Sequence, residues 1–294
     1  MTASREKLGV VLGIIGTCLF GATLPATRLA VAFFDPFFVT TSRAVVAGLL
    51  GVVVLLATRR KWPSRRVFCE LIAAGLCTIV AYPLLIALSL QTVPASHGGV
   101  VLGIVPLATM ACAAILVHER PTLGFWLASA AGSLLVIWFV VRHNEGTTIS
   151  RGDLFLLGAV IAAALGYTLS GRLSVDRPGW EVISWQVAIF LPLMAVATYF
   201  LWPPGIMNAP ASAWAGLAYV ATVSMYLGFF VFNAAMALAG VARIGQLTLL
   251  QPFVIVALSI PVNGEKFAPE TVLFAAAVVA VVVVGQRMGV KRRA

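Results

Sequence analysis

Long apolar runs separated by short polar breaks make up nearly the whole chain. Asp, Glu, Lys and Arg are absent from Leu8–Thr27, Ala44–Thr58, Leu71–Val117, Pro121–Val141, Leu154–Gly171, Val182–Ala242, Ile244–Gly264 and Thr271–Gln286. A helix that crosses a bilayer needs about 20 mainly apolar residues, so most of these runs hold one span. Two runs are long enough for two. Leu71–Val117 divides at Gln91-Thr92-Val93-Pro94-Ala95-Ser96, and Val182–Ala242 divides at the Pro/Gly-rich run Trp202–Ser212. Ala44–Thr58 is short but extends back through Arg43 to Phe37. The pattern predicts ten helices, at about 8–29, 36–58, 68–90, 96–117, 121–141, 154–173, 182–202, 212–239, 242–263 and 268–287. Alternating apolar and polar strands, which a membrane barrel requires, are absent. Arg5 and Lys7 precede Leu8–Thr27 as they would in a signal peptide. Nine further spans follow and no small-residue cleavage site stands out, so the run reads as a retained first helix.

Composition agrees with this pattern. Of 294 residues, 61% are hydrophobic and 10% charged, and mean hydropathy is +1.02. A soluble globular protein carries roughly 25% charged residues. A water-soluble enzyme, a disordered tail and a secreted disulfide scaffold are therefore excluded. The formal net charge is +10, but a nucleic-acid surface needs basic residues on one face beside aromatics. Here they sit in the breaks between spans, where they report orientation. With the N-terminus in the cytoplasm, fifteen Lys and Arg fall on that side, and only Arg28, Arg142, Arg151 and Lys266 fall on the other. That bias puts both termini in the cytoplasm of a multi-pass inner (plasma) membrane protein. The four cysteines, Cys18, Cys69, Cys77 and Cys112, form no C-x-x-C pair. They read as small buried apolar residues.

The chain is also written twice. Glu119 follows Pro106, and Glu265 follows Pro252, at the same interval of 13 residues, which sets the two copies 146 residues apart. A base follows each acid, Arg120 and Lys266. Phe20-Gly21-Ala22-Thr23-Leu24 echoes Leu165-Gly166-Tyr167-Thr168-Leu169 near the starts of the halves. Residues 1–145 and 146–294 would each supply five spans. An odd number makes the second copy enter the membrane from the opposite side, the inverted arrangement of many secondary transporters.

Two five-helix halves, each with a Pro-x12-Glu-[Arg/Lys] block between its fourth and fifth helices, resemble the EamA branch of the drug/metabolite transporter superfamily. Within that branch the chain is most similar to bacterial aromatic amino acid exporters. The resemblance covers about residues 8–287. It implies an all-α integral membrane exporter whose central cavity is built from spans 1, 3, 4, 6, 8 and 9, with spans 5 and 10 at the edge. Family substrates include amino acids, drugs, nucleotide-sugars and other metabolites.

Polar groups inside a bilayer are costly, so each is a functional candidate. All ten acids fall at helix ends or in loops. This disfavours a cationic cargo and leaves no carboxylate relay for protons, so downhill movement is expected. The polar and aromatic candidates on the expected cavity spans are Thr23, Tyr82, His97, Tyr167, Ser170, Tyr226, Asn233, Gln246 and Gln251. The competing reading for each is an interhelical hydrogen bond that holds the bundle together. Uncharged hydroxyls, amides and rings suit a zwitterion with an apolar side chain. Pro83, Pro106 and Pro252 lie on the same spans and are hinge candidates, because a proline breaks the helical hydrogen-bond ladder. His97 is expected at the outer mouth, bonded to water. Arg43, the one cation set inside a span, is expected to snorkel outward or to pair with Asp35. Trp62, Trp126, Trp138, Trp180, Trp202 and Trp214 near span ends are expected as interfacial anchors.

No H-E-x-x-H, paired midplane aspartates or acid-rich pyrophosphate motif supports the competing class, an intramembrane lipid-modifying enzyme. No cofactor or metal is called for. The expected partners are a small-molecule substrate and the lipid bilayer, with no nucleic acid and one chain sufficient. The sequence is thus read as an alternating-access exporter of small metabolites, neutral aromatic or hydrophobic amino acids first. A drug, nucleotide-sugar or other metabolite is the alternative cargo.

Overall fold

The computed structural model describes residues 3–116, 120–143, 150–174, 176–239, 250–287 and 290–291. Among the described residues, seven stretches are long and apolar enough to cross a membrane: Lys7–Val31, Pro36–Ala57, Arg65–Ser89, Ala95–Leu116, Arg151–Leu173, Gly179–Phe200 and Ala211–Phe232. Shorter apolar helices, Ala130–Phe139, Gln251–Asn263 and Pro269–Val281, lie at the other three positions where the sequence predicts spans. Arg120–Pro121 pairs antiparallel with Val290–Lys291, a two-residue ladder.

Several spans are assembled from segments. The first is α1 (Ala3–Gly21) and α2 (Thr23–Val31), interrupted at Ala22. The second is a single helix, α3 (Pro36–Ala57). The third comprises α4 (Arg65–Gly75), a π-helical stretch Leu76–Ala81 and α5 (Tyr82–Ser89). The fourth comprises α6 (Ala95–Leu102) and α7 (Val105–Leu116). Then follow α8 (Leu123–His143), α9 (Arg151–Leu173) and α10 (Gly179–Phe200). The eighth runs through α11 (Ala211–Ala218), a second π-helical stretch Tyr219–Leu227 and α12 (Gly228–Ala239). The last two helices are α13 (Gln251–Asn263) and α14 (Pro269–Arg287).

Local chemistry sets these boundaries. Asp35 accepts from the backbone N–H of Phe37 at 2.8 Å and precedes Pro36, an N-cap with proline at the first helical position. Ser150 and Asp153 bond each other's backbone N–H, a capping box that starts α9. Gly264, at φ +66°, ends α13 in the left-handed region that glycine enters freely. Each hinge candidate opens a segment: Pro83 is the second residue of α5, Pro106 of α7 and Pro252 of α13. There the missing N–H is one the helix start does not use.

The 146-residue offset seen in the sequence carries Leu76–Ala81 onto residues 222–227, inside the second π-helical stretch. It carries Val105–Leu116 onto residues 251–262, all but the last residue of α13. Nothing in composition announced the π geometry. It is a local insertion into the helical ladder that recurs at functional sites.

Close packing follows small residues. A Cβ on Gly51 of α3 would meet Val187 Cγ2 at 2.5 Å and the Ser184 carbonyl at 2.9 Å, so α3 and α10 touch backbone to backbone. Leu49, Val53 and Leu56 of α3 and Leu193, Val196 and Phe200 of α10 are exposed. Such an apolar exterior is stable against lipid and not against water. That exterior also corrects the expectation for the thiols. Cys18 and Cys69 are exposed, and Cys77 and Cys112 are half-buried. In a bundle whose outside is lipid, an apolar residue gains little by going inside.

Candidate functional site

Arg43 lies two turns into α3 and is only 4% exposed. It neither snorkels nor pairs with Asp35, whose carboxylate is engaged at the cap of the same helix. Its direction follows from the helix face it occupies. Ala44 and Ala47 beside it are buried, whereas Leu49 and Val53 face outward. The guanidinium points across to the π-helical stretch Tyr219–Leu227, where Nη2 donates to Ser224 Oγ at 3.3 Å. Ser224 Oγ in turn shares a 2.8 Å hydrogen bond with Thr23 Oγ1, at the start of α2. The Arg43 Nε hydrogen is buried and finds no acceptor among the described residues. Among the described residues no carboxylate lies within ion-pair distance of this side chain.

Two tyrosines extend the cluster. The Tyr82 hydroxyl is within electrostatic reach of Arg43, and Tyr167 is within reach of Tyr82. Tyr82 sits where the π-helical stretch Leu76–Ala81 returns to α-helix, one residue before Pro83. Tyr167 keeps 40% of its surface accessible. Ala163 and Ala164, one turn back on α9, are buried, so this exposure opens into the bundle and not to lipid. Thr23 is thus linked through Ser224 to Arg43, with Tyr82 in electrostatic reach of Arg43 and Tyr167 of Tyr82; Arg43 and Ser224 are two residues the sequence did not select. The third side of this signal was present: Arg43 is the single charge inside a span, and Ser224 is a hydroxyl in a run with no other reason for one.

The remaining candidates lie elsewhere. The Tyr226 hydroxyl is 2.8 Å from Ser184 Oγ in a side chain only 2% exposed. Ser170 Oγ accepts from Gln186 Nε2 at 2.9 Å, and Gln186 Oε1 accepts from Thr78 at 3.4 Å. Both are interhelical bonds, the reading that competed with substrate contact for each residue. Gln251 is half-buried at the start of α13, with its carbonyl facing Gly21. The Asn233 side chain and all of Gln246 lie outside the described residues.

His97 is not at a wet mouth. It is 2% exposed, stacks on Phe139 at 4.7 Å, and places Nε2 2.9 Å from Asp153 Oδ1. Asp153 is the third residue of α9, a helix-end position as anticipated, but it is 1% exposed. Its other oxygen accepts from the Ser150 N–H at 3.0 Å and Ser150 Oγ at 2.6 Å. Water does not reach this pair because α6, α8 and α9 close over it.

At the same end of the bundle, Glu265 reaches across from the second half of the sequence to the first. Its carboxylate accepts from the backbone N–H of Ala95 at 2.7 Å, from that of Ser96 at 3.1 Å and from Ser96 Oγ at 2.5 Å. It thereby caps α6, a favourable place for negative charge. Arg28 stands 3.8 Å from the same carboxylate and donates to the Val93 carbonyl. Asn263 Nδ2 donates to the Pro25 carbonyl at 3.0 Å. Glu119, the matching acid of the first half, lies outside the described residues.

At the opposite end a groove of about 400 Å³ lies between Thr58–Trp62, Arg177 and Glu181. Glu181 is 3.2 Å from Arg60 and 3.0 Å from Arg177, and Arg60 also lies 4.9 Å over the Trp180 ring. Arg60 and Arg177 share the Glu181 carboxylate, whereas Arg59 and Lys61 leave the groove with an excess of positive charge.

The EamA-like transporter family matches the chain twice, over residues 7–142 and 150–285. "Uncharacterized transporter YdeK" of Bacillus subtilis (strain 168) is 38% identical over 97% of this chain and 99% of its own length. The "Probable terminal-alkyne amino-acid exporter" of Streptantibioticus cattleyicolor is 25% identical over 100% of this chain and 97% of its own length. A solved structure titled "Crystal structure of protein" aligns with a TM-score of 0.64 over 97% of this chain and 100% of that one, at 18% identity. At that identity the likeness speaks for the fold alone.

Proposed function

The chain belongs to the EamA-like transporter family and is a multi-pass membrane transporter, not an enzyme; on that premise we propose that it exports neutral amino acids with aromatic or hydrophobic side chains by alternating access. The observation that carries this reading is the cluster of Thr23, Ser224, Tyr82 and Tyr167 around Arg43, with no acid among its described members. Hydroxyls hold a polar headgroup without charge, and tyrosine rings present faces to an apolar side chain. A cationic drug would meet a like charge there and no carboxylate to neutralise it. The amino-acid exporter among the relatives supports the same cargo class.

Alternating access is proposed as rocking of two inverted five-span halves, 1–145 and 146–294, within ten spans. The twofold family match and the recurrence of π-helical stretches at the 146-residue offset support that division. With both termini cytoplasmic in the plasma membrane, the Glu265 end faces outward and is closed, and the Arg60 end, which carries the groove, faces the cytoplasm. Glu265 supports this assignment because it binds α6 across the halves, as a closed gate must. Interruptions at Ala22, at Gly103-Ile104 and before Pro83 are where the spans would bend, with Pro252 a further hinge candidate. Movement is proposed to be downhill: the buried acid Asp153 is held by Ser150 and His97 away from the cluster.

The purified chain in liposomes is expected to move labelled phenylalanine, leucine and tryptophan, and to move lysine and glutamate at least tenfold more slowly. No flux for any neutral amino acid, with flux for a nucleotide-sugar or a drug, would sink the cargo claim. Uphill accumulation that collapses with a protonophore would overturn the downhill claim.

A further inference from the structure

We propose that Arg43 is the receptor for the substrate's carboxylate, a fixed cation whose counterion is the cargo itself; the proposal rests on the amino-acid reading above and makes it specific. The argument begins with what surrounds the guanidinium. It is 4% exposed, its Nε has no acceptor, and its one hydrogen bond to a side chain is a long one, 3.3 Å to the neutral Ser224. A charge taken out of water and left unpaired is strongly unfavourable. Every other buried ionisable group in the described bundle has escaped that situation. Asp153 has His97 and Ser150, Glu181 has Arg60 and Arg177, and Glu265 has Arg28 and the N-terminus of α6. Among the described charged groups, Arg43 alone keeps a buried N–H with no acceptor.

The neighbours fit the remainder of such a ligand. A guanidinium offers a planar fork of N–H groups that matches a carboxylate with two parallel bonds. Ser224 Oγ, already bonded to Thr23, stands on one edge of that fork. Tyr82 is within electrostatic reach of the guanidinium and Tyr167 within reach of Tyr82, and both keep accessible surface. A carboxylate on the fork would thus have two phenol rings in its neighbourhood for an apolar side chain. The placement is also suited to a moving site. Arg43 stands on the continuous helix α3, packed on α10 through Gly51, whereas Ser224 and Tyr82 stand in or next to the two π-helical stretches.

The competing account makes Arg43 a structural tie between α3 and the Tyr219–Leu227 stretch. The two accounts differ in sign. A tie stabilises the empty protein, whereas an uncompensated cation destabilises it until an anion arrives. The test uses the full chain in detergent, with thermal unfolding and calorimetric titration of 3-phenylpropionate and its uncharged amide, 3-phenylpropionamide. The wild type is expected to bind the acid at least tenfold more tightly than the amide. Arg43→Gln is expected to bind the two within twofold of each other, and to unfold, empty, at a temperature no lower than the wild type. Arg43→Lys, which keeps the charge without the fork, is expected to retain part of the preference.

Equal binding of acid and amide by the wild type overturns the proposal. So does an undiminished acid preference in Arg43→Gln, or a variant that unfolds at a markedly lower temperature or fails to fold. The probe carries no amino group, so the cargo claim fails separately: an Arg43-dependent acid preference without any amino acid flux leaves the carboxylate receptor standing and removes the amino acid.

Discussion

His97 and Arg43 are buried to nearly the same degree, 2% and 4% exposed, yet their surroundings are opposite. His97 faces Asp153 at 2.9 Å, and the carboxylate is filled on its other side by the Ser150 backbone and hydroxyl. Arg43 has a neutral serine and an unanswered Nε. The contrast separates two uses of buried charge. At the Glu265 end, acid and base are spent on each other and on helix termini, and the outcome is a closed, specified geometry. In the middle of the bundle a base is held without an acid, a state that persists only if something outside the chain completes it. From sequence, both were single polar letters in apolar runs.

Removing one partner from the completed site gives the largest expected loss. Asp153→Ala leaves His97 without its carboxylate and the Ser150 N–H without an acceptor, inside a region sealed from water. Breaking a buried pair in this way costs about 3–5 kcal/mol, so little folded protein is expected on size exclusion, and what remains should unfold well below the wild type. Arg43→Met is the counterpart: transport of phenylalanine lost, unfolding temperature unchanged or raised. If the two variants lose stability alike, the distinction between paired and unpaired charge fails.

Glu265→Ala should act next in size, on the closed end alone. It removes the acceptor of two backbone N–H groups and one hydroxyl, of which the buried donors are worth about 1–3 kcal/mol when left unsatisfied. The expected result is a shift towards opening at that end. A cysteine at Thr23, in a background with the four native thiols replaced by serine, should react with an impermeant maleimide from outside at least fivefold faster. Glu265→Gln, which can still accept, should fall between. Unchanged labelling would mean that Glu265 caps a helix and gates nothing. Gly51→Val is expected to come third, at about 1–3 kcal/mol of overpacking, because its Cβ starts 2.5 Å from Val187. Thermal unfolding should report the loss, with substrate affinity in the folded fraction unchanged.

Much of the architecture was legible because lipid imposes one rule over a whole helix. A charge-free run of about 20 residues has few structures open to it, and the helical segments follow those runs. The repeat was legible from Pro106, Glu119, Pro252 and Glu265, since spacing is a property of the chain. Partners were not. Ser224 is 181 residues from Arg43, and Asp153 is 56 from His97. Spacing along a helix says which face a residue occupies and nothing about which face opposes it. Asp35 is near Arg43 in sequence, which makes it one of two expected destinations for that cation beside outward snorkelling, but a helix start offers an aspartate unsatisfied N–H groups at once, and the cap wins. The spread of candidates over Tyr226 and Ser170 has the same origin. A tyrosine aimed at a cavity and one aimed at a serine on the next helix read identically.

The tyrosines therefore supply the finest test of the comparison, and the smallest effect. Tyr226 and Tyr82 occupy spans related by the 146-residue offset, and each lies in or beside a π-helical stretch. The Tyr226 hydroxyl is committed to Ser184 at 2.8 Å in a buried contact, while Tyr82 keeps accessible surface beside Arg43. Tyr226→Phe removes one hydrogen bond and leaves the ring and its edge contact with Phe230 in place. Interhelical bonds of this kind are worth about 0.6 kcal/mol on average within a membrane. A small drop in unfolding temperature is expected, with phenylalanine flux at the wild-type level. Tyr82→Phe removes an equally small group, and at the cluster its hydroxyl should count in substrate affinity, raising the half-saturating concentration severalfold with little change in unfolding temperature. If the two substitutions exchange their effects, the substrate lies against α10 and Tyr226, and Arg43 is a tie and not a receptor.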